Sequence, residues 1–320
     1  MKIFITGGSG FVGRNIIPLL VENGHIVHAL ARSEDSAKLI EGLGAIPVRD
    51  NLKQLSENTE FALQQCDVVI HSAAHMDFTY DPKPFYEINV LATETLLQLS
   101  KICGIQKFIY ISAAPVVAGS PIVNLKENQA THKLPRDLYP KTKAIAEKAV
   151  LRANSDTFLT LSLRPPAIWG PNNHHYDEIL SRVKKGKWRW IGGGHQVLST
   201  IHVNNLGNAI LAAISSDKGG KAYFVTDGDR RSMRETFESV IKEFNLDPGK
   251  KELPRWIAVV LAHFFGGLWK LLKLKSRPPI APLMIRLMAT EFSVSDEKAR
   301  QELGYKNAIS FKEGLKTINP

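Results

Sequence analysis

The stretch TGGSGFVG, residues 6–13, decides the predicted fold. It follows the apolar run KIFIT and precedes the amphipathic segment FVGRNIIPLLVENG, so it lies between a first strand and a first helix. Gly7 permits a tight turn, Gly10 lets the backbone approach a pyrophosphate at the helix N-terminus, and Gly13 lets the helix pack closely on the sheet. A merely flexible turn is the alternative, but the position after a first strand favours nucleotide binding. The predicted cofactor contacts of the turn are Gly7, Ser9, Gly10, Phe11, Val12 and Gly13.

Short apolar runs alternate with helical patterns as far as residue 165. Predicted strands cover residues 2–6, 25–30, 45–48, 67–72, 107–112 and 158–163. The runs DVVIHS and KFIYIS are apolar almost throughout, as strands covered on both faces are. Strands separated by helices form right-handed crossovers within a parallel sheet. The predicted fold class is therefore α/β, a Rossmann-type doubly wound parallel sheet.

The organisation of the chain changes after Arg164. The segments STIHVNNLGNAILAAI and KAYFVT predict a helix and a strand that return to the sheet. We therefore predict a dinucleotide-binding core of residues 1–165 and 200–227, and a smaller substrate-binding lobe of residues 166–199 and 228–320. Ligands bind where such a lobe meets the carboxyl ends of the parallel strands.

The end of the second predicted strand, HALARSEDS, bears on the choice of cofactor. Sheets that bind NAD usually carry an acidic residue there, which binds the adenosine ribose. This chain has Arg32 and Ser33 instead, and a guanidinium suits a 2′-phosphate. NADP is therefore the favoured cofactor and NAD the alternative. Asp50 and Asn51, in VRDNL, are candidates for a contact with the adenine amine.

The composition is that of an ordinary globular chain, with 44% of its 320 residues apolar and 22% charged. Cys66 and Cys103 form neither a metal pattern nor a disulfide framework, which indicates a reducing, cytoplasmic compartment. No leader segment is predicted, because the first strand starts at residue 2. The ten histidines lack ligand spacing, so no metal site is predicted. The net charge is +10, but we interpret the basic run RVKKGKWRW, residues 182–190, as a solvated helix end and not as a nucleic-acid site.

A tyrosine and a lysine four residues apart lie in RDLYPKTKAIAEKA, residues 136–149. On a helix, Tyr139 and Lys143 share one face, and Pro140 is tolerated in the first turn. The pair alone is a weak signal, since polar helix faces supply it by chance. Behind a dinucleotide-binding turn, it predicts a catalytic pair.

Nine motifs spread along the chain carry a resemblance to a known family. They are TGGSGFVG, DVVIHSAA, INVLATETLL, KFIYIS, YPKTKAIAEKAV, LRPPAIWGP, IHVNNLGNAILAAI, KAYFVTDGD and SDEKARQELGY. With them the chain resembles the extended short-chain dehydrogenase/reductases. It most resembles their 3β-hydroxysteroid dehydrogenase-type branch, which includes sterol-4-carboxylate dehydrogenases and bacterial 3-oxoalkanoate reductases. The glycine turn and the Tyr–Lys pair are common to the superfamily, whereas YFVTDG and the late apolar segment indicate the branch.

The resemblance implies a role for each member of the pair. Tyr139 would be the general acid in reduction and the base in oxidation. Lys143 would lower the pKa of the tyrosine and bond the nicotinamide ribose. The other positions that the resemblance implicates are Ala73 and Ala74 beside the cofactor ribose, Pro166 beside the nicotinamide and Asn89 as a support of the site. Arg164 is interpreted as structural or phosphate-linked and not as catalytic.

After the fifth predicted strand the chain departs from the family pattern. The family usually has Ser-Ser or Ser-Thr there, and the second hydroxyl holds the substrate oxygen near the tyrosine. This chain has Ser112, Ala113 and Ala114. Losing such a hydrogen bond typically lowers the rate by about 10²–10³. Three outcomes stay open: a slow enzyme, recruitment of Ser112 or Thr142, or a changed function. Ser112 is the third catalytic candidate beside the Tyr–Lys pair.

Residues 256–269, WIAVVLAHFFGGLW, contain no charged residue, and Lys270, Lys273, Lys275 and Arg277 follow them. The run is shorter than the roughly 18–20 residues that span a bilayer. Three interpretations stay open: a buried helix of the lobe, a lid over an apolar substrate, and an interfacial anchor whose lysines reach lipid phosphates. The last predicts a peripheral membrane contact through residues 256–277.

The leading functional hypothesis is an NAD(P)-dependent oxidoreductase that interconverts a secondary alcohol and a ketone on a lipid-like or sterol-like molecule. A nucleotide-sugar epimerase or dehydratase of the same superfamily is the second hypothesis, and a non-catalytic NADP-binding sensor or lipid carrier is the third. The expected partners are a small apolar substrate, a membrane surface and a second copy of the chain in a homodimer, but no nucleic acid.

Overall fold

Thirteen strands form within the part of the chain that this computed structural model describes, residues 1–117, 122–129, 133–272, 274 and 276–319. They are β1 (Lys2–Thr6), β2 (Ile26–Ala31), β3 (Ile46–Arg49), β4 (Val68–His71), β5 (Lys107–Ile111), β6 (Ile122–Leu125), β7 (Leu159–Arg164), β8 (Ala167–Trp169), β9 (Trp190–Ile191), β10 (Thr200–His202), β11 (Lys221–Phe224), β12 (Glu252–Leu253) and β13 (Phe292–Val294).

Helices connect most of these strands. They are α1 (Phe11–Glu22), α2 (Glu34–Gly42), α3 (Glu57–Leu63), α4 (Pro82–Phe85), α5 (Ala92–Ile102), α6 (Leu138–Arg152), α7 (His175–Lys184), α8 (Val203–Ser215), α9 (Met233–Glu243), α10 (Arg255–Leu271), α11 (Pro282–Ala289), α12 (Glu297–Leu303) and α13 (Phe311–Leu315). A π-helical segment, Tyr86–Leu91, joins α4 to α5.

Seven strands form one parallel sheet in the order β11-β7-β5-β4-β1-β2-β3. All six strands predicted up to residue 165 are present with ends shifted by at most one residue, and KAYFVT supplies β11. The predicted doubly wound α/β sheet is therefore confirmed. Because β1 lies between β4 and β2, the strand order reverses at β1, and ligands bind beside such a reversal.

Helices cover both faces of this sheet. One apolar cluster joins α1, α2, α8 and α12 to the sheet, and a second joins α3, α5 and α6 to the other face. Along β1, Ile3 and Ile5 enter the first cluster and Phe4 enters the second, since successive side chains of a strand point to opposite faces. This two-sided burial explains why the strands are apolar almost throughout.

Three two-stranded parallel sheets complete the described strands. They pair β8 with β10, β9 with β12, and β6 with β13. β6 precedes residue 165, yet it pairs with a strand from the C-terminal segment. β6, which belongs to the predicted core, thus pairs with β13 of the predicted lobe. The division of the chain into core and lobe stays a prediction.

Candidate active site

The glycine turn lies at the carboxyl end of β1, beside the end of β4. Gly7 has a positive φ of 76°, and a Cβ there would lie 2.9 Å from the Ala73 nitrogen. A Cβ at Gly13 would lie 2.3 Å from the Gly7 carbonyl oxygen. α1 begins directly after Gly10, and no side chain caps its first N–H groups. The turn is a backbone cradle that side chains would fill, and its N–H groups suit a pyrophosphate.

A buried hydrogen-bond chain fixes the loop after β4 against this turn. His71 Nδ1 lies 2.7 Å from Thr6 Oγ1, and His71 Nε2 lies 2.8 Å from Thr93 Oγ1. The Ala73 N–H donates to Thr6 Oγ1, while Thr93 donates its proton to the Asn89 carbonyl oxygen. Burial lowers the pKa of His71 to about 3, so its ring is neutral at neutral pH. The chain of bonds holds Ala73 beside the glycines.

Asn89 connects this loop to the helix of the catalytic pair from within the π-helical segment. Its Oδ1 accepts the His75 N–H at 2.7 Å, and its Nδ2 donates to the His75 carbonyl oxygen and to Thr142 Oγ1, both at 3.0 Å. Thr142 in turn donates to the Leu138 carbonyl oxygen at 2.8 Å. Asn89 therefore has the supporting contacts that the resemblance implies. The hydroxyl of Thr142 is engaged within the protein, which argues against its recruitment by a substrate.

α6 places Lys143 in the interior, next to β5. Its Nζ donates to the Ile111 carbonyl oxygen at 2.6 Å and lies 4.0 Å from the centroid of the Tyr110 ring. Desolvation lowers the pKa of Lys143 to about 7, although Glu147 acts in the opposite direction. The lysine is thus fixed at the carboxyl end of β5, where the sheet approaches the cofactor region.

Glu147, which was not predicted from the sequence, lies one helical turn beyond Lys143. Its carboxylate accepts hydrogen bonds from Arg164 Nη2 and from Ser162 Oγ, each at 2.6 Å. Its side chain is 5% exposed, so this carboxylate is a buried partner of Arg164. The contact agrees with the interpretation of Arg164 as structural. The spacing of Tyr139, Lys143 and Glu147 at every fourth position is the sequence signal that would have found it.

Tyr139 forms part of the wall of a cavity of about 350 Å³. Residues 77–80 after β4, residues 136–138 and residues 281–283 also line it. Desolvation raises the pKa of Tyr139 to about 12. Burial therefore sets the direction of the Tyr139 pKa, while the ammonium of Lys143 is bonded to the Ile111 carbonyl oxygen. The prediction that Lys143 lowers the pKa of Tyr139 stays a prediction.

Ser112 follows β5, and its buried hydroxyl has no hydrogen-bond partner among the described residues. Its N–H donates to the Leu163 carbonyl oxygen at 2.8 Å. The Ala114 N–H donates to the Pro165 carbonyl oxygen at 2.8 Å, which brings the end of β5 next to buried Pro166. A buried hydroxyl without a partner is costly, so a bound group that hydrogen-bonds to it would stabilise the site. The catalytic role of Ser112 stays a prediction.

Two residues predicted to bind the adenosine phosphate follow β2. Arg32 is exposed and forms no ion pair or side-chain hydrogen bond within the described ranges. Ser33 caps α2, because its Oγ accepts the Ser36 N–H at 3.2 Å and its N–H donates to Ser36 Oγ at 2.9 Å. The guanidinium of Arg32 is therefore available for a ligand, whereas the hydroxyl of Ser33 is engaged as the N-cap of α2.

Asp50 and Asn51 shape the turn that leads into α3. The Asp50 carboxylate accepts bonds from the Asn51 N–H, from the Ser56 N–H and hydroxyl, and from the Thr59 hydroxyl. Burial acts to raise the pKa of Asp50, but these hydrogen bonds outweigh it and the pKa lies below its ordinary value. Asn51 Oδ1 accepts the Lys53 N–H at 3.1 Å. A contact of either side chain with adenine stays a prediction.

The C-terminal end of α10 also borders the cavity. A Cβ at Gly266 would lie 2.7 Å from the hydroxyl of Tyr80, and Lys270 Nζ lies 5.1 Å from the centroid of the Tyr80 ring. Beyond the helix, Arg277 Nε donates to Asp77 Oδ1 at 2.5 Å. These contacts fix the end of α10 over the loop that carries Tyr80, which agrees with the interpretation of this helix as a lid.

Comparison with known proteins finds a family model and relatives that match most of the chain. The model of the 3-beta hydroxysteroid dehydrogenase/isomerase family matches residues 4–255. The chain is 34% identical to the 4-hydroxy-2-methyl-3-oxo-4-farnesyl-3,4-dihydroquinoline-1-oxide ketoreductase of Stigmatella aurantiaca, over 99% of this chain and 96% of that protein. It is 33% identical to the decarboxylating sterol-4-alpha-carboxylate 3-dehydrogenase of Dictyostelium discoideum, over 98% of each chain.

A solved structure shows the same fold at lower identity. The UDP-glucuronic acid 4-epimerase of Bacillus cereus in complex with NAD superimposes with a TM-score of 0.77 and covers 100% of this chain and 97% of its own. Its sequence is 19% identical, so this likeness concerns the fold alone. The family model and the two relatives that cover nearly the whole chain show more: the chain belongs to the 3-beta hydroxysteroid dehydrogenase/isomerase family and is an NAD(P)-dependent oxidoreductase of hydroxyl and keto groups.

Proposed function

We propose that the chain interconverts a ketone and a secondary alcohol on an apolar, lipid-like molecule, with NADP(H) as its cofactor. The observation that carries the proposal is the position of Tyr139 on α6. Its side chain borders the cavity, while Lys143, one turn further, is fixed at the end of β5. The glycine turn and Ala73 lie at the carboxyl ends of the neighbouring strands β1 and β4. This arrangement supports a substrate site and a cofactor site at the same edge of the sheet.

The chain's own residues supply the proton in this reaction. Bound NADP(H) would supply the hydride in reduction and accept it in oxidation. In reduction, the Tyr139 hydroxyl donates its proton to the substrate carbonyl oxygen, and in oxidation the tyrosinate takes the proton of the alcohol. A pKa of about 12 keeps Tyr139 protonated at neutral pH. The protonated Tyr139 that reduction needs as its acid is therefore the form present at neutral pH. The tyrosinate that oxidation needs as its base requires added positive charge near the hydroxyl.

The apolar substrate class is supported by the relatives and by the cavity. The names of the two relatives give a farnesyl-bearing dihydroquinoline oxide and a sterol carboxylate, and both molecules have large apolar skeletons. The cavity is lined by apolar side chains such as Phe78 and Leu283 and by the charged side chains of Asp77, Arg136, Asp137 and Lys270. Such a wall suits a molecule with an apolar body and a polar end. A homodimer and a cytoplasmic location stay predictions.

Arg32→Ala is expected to weaken NADPH binding by about 10- to 100-fold and to leave NADH binding nearly unchanged, since a charge-assisted phosphate contact has roughly this strength. The exposed guanidinium after β2 has no partner among the described residues, so its removal breaks no contact of the protein itself. Fluorescence titration of both dinucleotides measures the ratio of the affinity for NADPH to the affinity for NADH. Arg49→Ala is the control, because it removes a guanidinium at the end of β3 that is already paired with Glu34 at 3.7 Å. An unchanged ratio in Arg32→Ala would contradict the assignment of NADP.

The proposed reaction is tested by NADPH consumption with a panel of ketones. Turnover is expected with apolar, isoprenoid-like or long-chain ketones, and NADP⁺ reduction is expected with the corresponding alcohols. NADPH binding without turnover on any member of a broad panel would instead favour the non-catalytic sensor.

A further inference from the structure

α10 packs on the protein through its small residues. Ala258, Ala262 and Gly266 recur at every fourth position and are the buried positions of the helix. They belong to a side of α10 that faces α11, where Ala258 and Ala262 share an apolar cluster with Ile285 and Ala289. Since residues four apart lie on one face of a helix, the bulky side chains of α10 are left on its other faces.

The outer side of α10 is apolar and exposed. The residues that form this surface, which we call the α10 apolar face, are Trp256 (69% exposed), Val260 (57%), Phe264 (62%) and Leu271 (79%). Leu272 and Leu274, which follow the helix, are also exposed. The first three again recur at every fourth position, so they form a continuous stripe. The interpretation of this segment as a buried helix is therefore wrong. A cluster of large exposed apolar side chains marks a surface that contacts a partner or a membrane.

The segment of sequence that carries the α10 apolar face is basic, although its Arg277 and Arg286 are paired with Asp77 and Asp137. Residues 253–290 contain no aspartate or glutamate. Arg255 at the start of the helix is exposed and forms no ion pair within the described residues. Lys270 near the end of the helix is also exposed and without an ion pair in that part of the chain, and its Nζ lies at the mouth of the cavity, 5.1 Å from the centroid of the Tyr80 ring. Lys273 and Lys275, which were also predicted to reach lipid, lie outside the described residues. The charge of the segment complements an anionic surface.

We propose that the α10 apolar face docks onto the surface of an anionic lipid bilayer. The large apolar side chains enter the interface, while the basic side chains stay at the level of the phosphates. Within the described residues no helix is long and apolar enough to cross a bilayer, so the contact is peripheral. A second copy of the chain is the less suitable occupant, because a two-fold contact through this face would bring two basic segments together without acidic partners.

The docking has a consequence for the entry of the substrate, and this consequence rests on the proposed function. Gly266 lies against Tyr80, and Lys270 and Tyr80 line the same cavity as Tyr139. The helix that contacts lipid on its outer side thus borders the cavity on its inner side. A water-insoluble substrate passes from the bilayer to the tyrosine along α10 without crossing bulk water. The docking itself does not depend on the identity of the reaction.

Flotation with vesicles tests the docking. The protein is expected to float with vesicles of equal parts phosphatidylglycerol and phosphatidylcholine at low salt, and to stay behind with phosphatidylcholine alone. Replacing Lys270, Lys273 and Lys275 with glutamine is expected to weaken partitioning on the order of 100-fold, because each basic residue near an anionic surface contributes about fivefold. Raising the salt concentration is also expected to weaken partitioning, because salt screens the attraction between the basic side chains and the anionic lipid. The double variant Trp256→Ser, Phe264→Ser is expected to weaken partitioning more than about tenfold.

Matched controls separate docking from general effects. Replacing Lys184, Lys185 and Lys187 with glutamine removes the same charge from another exposed basic run. Phe61→Ser removes an aromatic side chain on α3 that is 69% exposed, like Trp256. Both controls are expected to float as the unaltered protein does. Equal recovery in the protein-only fraction with and without anionic lipid would overturn the proposal, and so would equal losses in the controls.

Sedimentation measured in parallel examines the alternative occupant. The unaltered protein and the Trp256→Ser, Phe264→Ser variant are expected to have the same molar mass in the absence of lipid. A dimer that this double variant converts to a monomer would assign the face to a second copy and overturn the proposal. Because flotation needs no turnover, failure of the oxidoreductase assay would leave these results interpretable.

Discussion

Replacing Tyr139 with phenylalanine is expected to lower kcat by about 10²–10⁴, the usual contribution of a positioned general acid. The substitution keeps the ring, which packs against a buried apolar cluster, and removes only the hydroxyl. Because ground-state contacts change little, KM and the affinity for the dinucleotide are expected to stay close to those of the unaltered protein. Steady-state kinetics and dinucleotide titration measure the two effects separately.

Tyr80→Phe is the matched control for this experiment. Tyr80 lines the same cavity, and its buried hydroxyl has no hydrogen-bond partner among the described residues. Its removal is expected to change kcat only a few-fold and to raise the stability slightly, since an unsatisfied buried group is lost. Near-normal turnover in Tyr139→Phe, together with a large loss in Tyr80→Phe, would transfer the acid role to Tyr80.

Gly13→Ala is expected to destabilise the protein by about 3 kcal/mol or more, the upper range for overpacking a close contact. The new Cβ would lie 2.3 Å from the Gly7 carbonyl oxygen and 2.5 Å from Gly8 Cα, and neither backbone atom can rotate away. α1 therefore has to move off the glycine turn, which disrupts the cradle for the pyrophosphate. Thermal unfolding is expected to show a midpoint lower by at least roughly 4 °C, and dinucleotide titration is expected to show weaker binding.

Gly42→Ala provides the comparison for this substitution. Gly42 is the last residue of α2, its φ is not positive, and a Cβ there would meet no atom within 4 Å. Alanine is favoured over glycine in helices by roughly 1 kcal/mol. The control is therefore expected to be neutral or slightly stabilising. If Gly13→Ala behaved like Gly42→Ala in both stability and dinucleotide binding, the close approach of α1 to the turn would be refuted.

The parts of the fold that depend on local pattern were predictable from the sequence. Strands buried on both faces are short apolar runs, and the glycine turn marks where the first of them ends. All seven strands of the main sheet were therefore located. The resemblance implicated Ala73 beside the cofactor, and Ala73 does lie against Gly7, because both follow parallel strands whose carboxyl ends meet at one edge.

The parts of the site that depend on burial and on long-range partners were not predictable. The pKa of Tyr139 rises because the packed protein desolvates the hydroxyl, and no motif encodes that desolvation. The sequence allows Thr142 as a substrate contact, but its hydroxyl accepts a hydrogen bond from Asn89, a residue distant in sequence. Ser33 matched a phosphate contact in position, but its hydroxyl caps α2. For α10, apolar composition alone did not distinguish a buried helix from one whose large side chains face outward.

Transfer of deuterium from labelled NADPH tests the central claim most directly. The protein is incubated with NADPH carrying deuterium at the transferred position of the nicotinamide and with the panel of apolar ketones, and the products are analysed by mass spectrometry. We expect an alcohol with one deuterium on the carbinol carbon, formed in step with NADPH consumption and abolished in Tyr139→Phe. Recovery of every ketone unlabelled, with NADPH bound but unconsumed, would contradict the assignment of this chain as an oxidoreductase of apolar ketones and alcohols.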